Sequence, residues 1–176
     1  MKGTDMPDHH DRMLQSWREN AARDGDANFR FLRSLKMVSD PDRIDALAGE
    51  LHEEVFAKID CTRCANCCKT IQPGFTDEDI ARLAAHLGMS EETFIAAYLE
   101  IDPEEGGHRT KATPCPFLGG DDRCTIYEVR PQACQEFPHT DKEGFTRRVY
   151  LHAENTLSCP AAYHVVRELR RCLRRR

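Results

Sequence analysis

Cys61-Thr62-Arg63-Cys64-Ala65-Asn66-Cys67-Cys68 decides how this chain is read, because four cysteines in eight residues are there for their sulfur chemistry. Burial never requires such density. Cys-x-x-Cys places two thiolates on one tight turn, close enough to grip a single ion. Cys-x-x-Cys-x-x-Cys extends the grip to three, the spacing found on iron–sulfur clusters. The adjacent Cys67 and Cys68 add a constraint. Neighbouring side chains point to different sides, so this pair is expected to serve different centres. Cys115, Cys124, Cys134 and Cys159 follow downstream. The whole set reads as two four-thiolate sites, or as one cluster with a reactive remainder. In the two-site scheme Cys67 completes the triplet with Cys61 and Cys64, and Cys68 joins the downstream cysteines. One downstream cysteine then crosses to the first site, and spacing does not say which.

Competing readings of the cysteines are weaker. A disulfide framework belongs to small secreted domains with little core. This chain has 176 residues and an odd number of cysteines, nine. Its start, Met1-Lys2-Gly3-Thr4-Asp5, has no apolar run and does not read as a signal peptide. The ninth cysteine, Cys172, falls on the apolar side of the last helical segment and is read as a core residue. His139, five positions after Cys134, is the one histidine held as a reserve ligand. His152 and Asn155 are the partners a nucleophilic Cys159 would need, the basis of a third reading as a thiol catalyst.

Composition points to a globular protein of the cytoplasm. No segment approaches the about 20 apolar residues of a membrane span. The formal charge of -5 argues against a broad nucleic-acid surface. Arg63, Lys69, Arg123 and Arg130 are the cations at hand to offset bound thiolates.

Outward from the cysteine run, three regions are expected: residues 1–60 as a helical extension packed on the core, 61–160 as the cysteine-bearing domain, and 161–176 as a C-terminal helix. Met13, Leu14 and Trp17 mark one amphipathic stretch. Phe29, Leu32 and Leu35 mark another, after a break at Arg23-Asp24-Gly25-Asp26. Asp40-Pro41 is a helix start, an N-cap followed by proline at the first position. Ile44, Leu47, Leu51, Val55 and Ile59 give it one apolar face running into Cys61. Gln72-Pro73-Gly74-Phe75 reads as a turn. Thr76-x-x-Asp79 is a capping box opening a helix buried through Ile80, Leu83 and Leu87 and stopped at Gly88. Ser90 starts another, with Phe94, Ala97 and Tyr98 inward. Asp77, Glu78, Asp79, Glu91 and Glu92 are expected on the exposed side, an acidic pair ill suited to reading DNA. Residues 102–114 read as loop, and the Gly119-Gly120-Asp121-Asp122 turn as a small hairpin carrying Cys115 and Cys124. Pro160 opens the last helix, with Val165, Val166, Leu169, Cys172 and Leu173 along one side. Apolar residues between Cys61 and Cys159 look sparse, which predicts that a metal replaces a core there. The fold class expected is therefore mainly α, a small irregular cysteine-rich domain with one short β-hairpin built around metal–thiolate centres.

Taken in order, the motifs resemble a known family. They are Cys61-x-x-Cys64-x-x-Cys67-Cys68, Cys115-Pro116-Phe117-Leu118, Cys124-x-Ile126-Tyr127-x-x-Arg130-Pro131-x-x-Cys134 with Phe137-Pro138, and Cys159-Pro160. This set is similar to the CxxCxxCC cysteine-cluster family, a zinc- or iron-chelating domain, over roughly residues 61–160. Gln135 departs from the pattern, which carries an arginine after the third downstream cysteine. The resemblance implies metal chelation by the shared cysteines in bacterial cytoplasmic proteins. A flagellin lysine methylase carries a similar cysteine domain, so a methylase-like role exists in the wider group. This chain shows no glycine-rich nucleotide fingerprint. Three functions therefore stand at this point: an iron–sulfur protein for electron transfer or sensing, a structural zinc protein that serves an unidentified protein partner, and the thiol catalyst. Thiolates accept iron and zinc alike, so spacing does not separate the first two.

Overall fold

The computed structural model describes residues 8–104 and 106–174. It is mainly helical, as the sequence predicts, with one small antiparallel sheet. The chain divides into two compact units. One comprises the residues up to 64 together with those from 138 onward, and the other residues 65–137.

The first unit is built from long helices. Helix α1 (His9–Ser34) starts at Asp8, whose side chain accepts the Asp11 N–H at 2.9 Å. It runs through the expected break at Gly25. Glycine inside a helix costs only about 1 kcal/mol, and tertiary contacts outweigh it here. The Tyr163 hydroxyl donates to Asp24 at 2.8 Å, and a Cβ at Gly25 would lie 3.7 Å from Leu157. Helix α2 (Pro41–Phe56) has the predicted Asp40 cap and buries Ile44, Ala48, Leu51 and Val55. It ends short of the cysteines, and Ile59 is buried beyond its last turn. After the short helix α3 (Cys61–Cys64), the chain returns to this unit as α8 (Val149–Ser158) and α9 (Pro160–Arg174). Helix α9 is buried from Pro160 through Val166 and at Leu169 rather than along one stripe, because α1, α2 and α8 all pack on it. A helix covered on several sides carries apolar residues all round.

The second unit is made of short pieces. Helix α4 (Asn66–Thr70) is followed by strand β1 (Gly74–Phe75), helix α5 (Asp77–Leu87) and helix α6 (Glu91–Tyr98). Then come strands β2 (Leu99–Ile101) and β3 (His108–Thr110), and helix α7 (Gln132–Glu136). The sheet order is β1-β3-β2, with Phe75 opposite His108 and Glu100 opposite Arg109. These strands fall where the sequence reads as turn and loop. Two or three residues are too few to show a period of two. The expected bend between Cys115 and Tyr127 is present, but as a single antiparallel bridge from Leu118 to Cys124. Its tightness requires Gly119, where a Cβ would stand 3.1 Å from the Arg123 carbonyl oxygen.

The capping box at Thr76 and Asp79 forms, and Gly88 ends α5 in a left-handed conformation at φ 68. Three expectations need correction. Asp79 is buried at 1% exposure, not exposed with its acidic neighbours. Ala97 faces outward while Phe94 is fully buried. And apolar residues are not sparse here. Phe75, Ile80, Leu83, Ala84, Phe94, Leu99, Phe117 and Ile126 form a core of their own, because residues scattered along the sequence converge on Phe94.

Candidate metal centre

The run from Cys61 to Cys68 is not one continuous turn. Asp60 opens α3 by accepting the Thr62 N–H at 2.9 Å and its hydroxyl at 2.6 Å. Ala65 then takes left-handed backbone, φ 51, which stops α3 and starts α4. A non-glycine residue in this region costs on the order of 1–2 kcal/mol, and the burial of Ala65 helps to hold it there. The break assigns Cys61 and Cys64 to the helical unit, and Cys67 and Cys68 to the other.

In the second unit, backbone bonds bring Cys68 and the downstream cysteines together. The Cys115 N–H donates to the Cys68 carbonyl at 2.7 Å, and the Leu118 N–H to the Cys115 carbonyl at 3.0 Å. Leu118 bridges Cys124. Cys115 and Cys124 both pack against the core around Phe94. Cys134 rides on α7, whose first N–H, from Gln132, donates to the Asp79 carboxylate at 3.1 and 3.2 Å. Asp79 also accepts from the Thr76 N–H at 3.2 Å and from Arg82 at 2.5 Å. One buried carboxylate thus fixes the start of α5 and the helix that carries Cys134. The acidic character of the segment was visible in the sequence, but the cross-link to Gln132 spans 53 residues and has no local signal.

The electrostatics report the same grouping. Burial pushes the Cys134 thiol up to about 12, and charge on Cys68, Cys115 and Cys124 pushes in the same direction. The Cys115 and Cys124 thiols are also raised, by burial first and by Cys68 after it. Cys68 moves the other way, to about 7, chiefly because the Cys67 thiol donates a hydrogen bond to it, with Lys69 contributing. Arg130 favours the ionised forms of Cys124 and Cys134. Its carbonyl accepts from Arg82 at 3.2 Å and from Gln135 at 2.8 Å. Gln135 therefore has a role of its own in this loop.

In the helical unit, Cys159 lies between α8 and α9, and its sulfur accepts the Ala162 N–H at 3.5 Å. Burial raises its thiol to about 12, and charge on Cys61 and Cys64 contributes. Arg63 is engaged elsewhere, with Asp8 at 2.8 Å and Asp11 at 3.3 Å. His139 belongs to this unit and not to that of Cys134. Both residues offered for a catalytic Cys159 are tied into the core. The Asn155 amide donates to the Pro138 carbonyl at 3.0 Å, and His152 is fully buried and stacked 4.0 Å from Phe145.

Among the described residues, no three His, Cys, Asp or Glu side chains stand close enough, as placed, to hold an ion. The nine cysteines are all free thiols. The donor set nonetheless suits a soft metal. It is all sulfur, gathered from segments far apart in sequence, and part of it is too buried to ionise without a nearby positive charge. Among the described residues, no helix is long and apolar enough to cross a membrane.

A family model matches residues 60–157: the CxxCxxCC family, described as a putative zinc- or iron-chelating domain. The match covers more than half of the 176 residues, and the chain belongs to this family. No curated protein and no solved structure matches the chain.

Proposed function

We propose that this member of the CxxCxxCC family holds a thiophilic metal through Cys61, Cys64, Cys67, Cys68, Cys115, Cys124, Cys134 and Cys159, as an iron–sulfur centre for electron transfer or sensing. The observation that carries the reading is the gathering of Cys68, Cys115, Cys124 and Cys134 in one unit by backbone ties: the Cys115 N–H to the Cys68 carbonyl at 2.7 Å, the Leu118–Cys124 bridge and the Asp79 hold on the helix of Cys134. Like charges so placed repel unless a cation sits among them. A metal ion or cluster supplies that cation, and a thiol that coordinates it gives up its proton. Cys134 and Arg130 have complementary parts: one sulfur needs ionising, and one guanidinium favours it.

Two features support iron. The eight candidate ligands are all cysteines, and all-sulfur sets are the ordinary ligands of iron–sulfur clusters. Cys61 is exposed, and most of the other cysteines are half-buried, which leaves a centre near solvent, as electron exchange requires. A second reading, structural zinc, is favoured by the packing of Cys115 and Cys124 on the apolar core. A metal there extends the core, as structural zinc does. Protein purified without oxygen decides between them. Brown colour with broad visible absorption, and iron with sulfide by elemental analysis, is the expected result. Colourless protein with stoichiometric zinc selects the second reading. Protein that is folded, reduced and free of either metal after exposure to both defeats the proposal.

A further inference from the structure

We infer that the cysteines form two separate metal centres, one in each unit: Cys68, Cys115, Cys124 and Cys134, with the adjacent Cys67 beside them rather than in a triplet with Cys61 and Cys64, in the 65–137 unit, and Cys61, Cys64 and Cys159 in the helical unit. This rests on the metal-binding reading above and adds to it a number of centres and an assignment. The downstream cysteine that crosses to the first pair is Cys159.

The assignment begins with the backbone. Cys159 is far from Cys64 in sequence, yet both belong to the helical unit. Helices α8 and α9, which meet at Cys159, pack with each other, and α9 packs on α2, whose last residue precedes Cys61 by five positions. None of the other downstream cysteines belongs to that unit. Their own positions are fixed by different ties: the Cys115–Cys68 backbone bond, the Leu118–Cys124 bridge and the Asp79 hold on α7. Two independent frameworks thus carry two sulfur sets.

The Ala162 N–H already points at the Cys159 sulfur. Such a donor stabilises a metal-bound thiolate and orients it, as outer hydrogen bonds commonly do for metal ligands. In the second unit the four sulfurs equal in number those of a closed tetrahedral site, and they close on an ion only as it binds, since no three described ligand groups stand within reach of one as placed. The three of the helical unit leave a tetrahedral ion one further position.

The test uses the whole chain, stripped of metal under reducing conditions and titrated with cobalt(II) alone. Sulfur-to-cobalt charge-transfer absorption reads occupancy, and elemental analysis counts ions. Two equivalents per chain are expected for the unaltered protein. Cys134→Ser and Cys159→Ser should each retain one equivalent, and the double variant none. A titration of the unaltered protein that ends at one equivalent overturns the division. So does a folded Cys134→Ser or Cys159→Ser protein that binds none, or one that still binds two. The unaltered titration requires no variant to fold. No cobalt–thiolate absorption at all overturns the metal reading itself, a different failure from a single shared centre.

Discussion

The helical unit and the 65–137 unit hold themselves together by different means. In the first, long helices satisfy their own backbone, and buried apolar residues supply the stabilisation. Leu32, Val165, Val166 and Leu169 have no exposure at all. In the second, the longest element is the 11 residues of α5, and the strands have two or three residues. Isolated helices that short are marginal in water. Its cysteine-bearing segments therefore depend on single ties, such as Asp79 to Gln132 and Cys115 to Cys68. Where a fold rests on many weak contacts, losing one costs little. Where segments beside a small core hang on a few polar ties, each tie weighs more.

Metal removal is the harshest way to test that contrast. The second unit has its own core around Phe94, so chelation should not unfold it throughout. Instead, amides of α4 and of residues 111–137 should exchange at least about 100-fold faster, the equivalent of roughly 2.7 kcal/mol of lost protection. Amides of α5 and α6, and those at the centres of α1 and α9, should change far less. Hydrogen exchange with mass analysis measures this segment by segment. Equal deprotection of both units, or none in residues 111–137, breaks the comparison.

Asp79→Ala should be the most damaging single substitution outside the cysteines. It removes the acceptor for the Thr76 and Gln132 N–H groups and the carboxylate partner of Arg82, which keeps only the Arg130 carbonyl. Loss of one partner from a buried, hydrogen-bonded charge pair costs about 3–5 kcal/mol. The lower end applies because Arg82 is 40% exposed. Urea unfolding measures the loss, and metal content should fall with it, since α7 carries Cys134. Asp79→Asn should recover part of the stability by keeping an acceptor oxygen. A change below about 1 kcal/mol in Asp79→Ala sinks the role assigned to this residue.

These two tests also mark what was legible in the sequence. The helix starts at Asp40 and Thr76, the stop at Gly88 and the burial of Val165, Val166 and Leu169 are local signals, and local signals suffice for them. The family was legible for the same reason: the dense run from Cys61 to Cys68 is a local signal, and the family model matches residues 60–157. Asp79 was misread because its partner at Gln132 is remote, and an acidic residue among acidic neighbours looks solvated. The sheet was missed because its strands are too short to show alternation. The break at Ala65, which parts Cys64 from Cys67, has no composition cue, since left-handed backbone is signalled by glycine or asparagine and alanine signals helix.

Acid should weaken the helical unit through His152. Burial, aided by Arg148, lowers its pKa from 6.5 to about 4 in the folded chain. The unfolded chain therefore takes up a proton that the folded one refuses as pH falls from about 6.5 to about 4. Stability is then full above pH 6.5 and decreases through that window, by about 2 kcal/mol at pH 5. The lowered pKa of His164 acts in the same sense. Denaturant midpoints at pH 7 and pH 5 give the difference, and His152→Leu should flatten it. A variant whose pH dependence matches that of the unaltered protein shows that His152 is not the source.

The smallest effect is expected at Cys172, and it bounds the metal sites from outside. Cys172 lies on α9 near its C-terminal end, past the continuously buried stretch, and is half-buried. Cys159, at the start of the same helix, is thirteen positions and about 20 Å of helix rise away, too far for one ion to bridge. Cys172→Ser should leave metal content unchanged and shift stability by less than about 1 kcal/mol, the ordinary range for a site with no strong partner. Elemental analysis of folded protein checks the first, and thermal unfolding the second. Metal lost from a Cys172→Ser protein that keeps its fold would place a sulfur of α9 among the ligands and undo the assignment of the helical unit's centre to Cys61, Cys64 and Cys159.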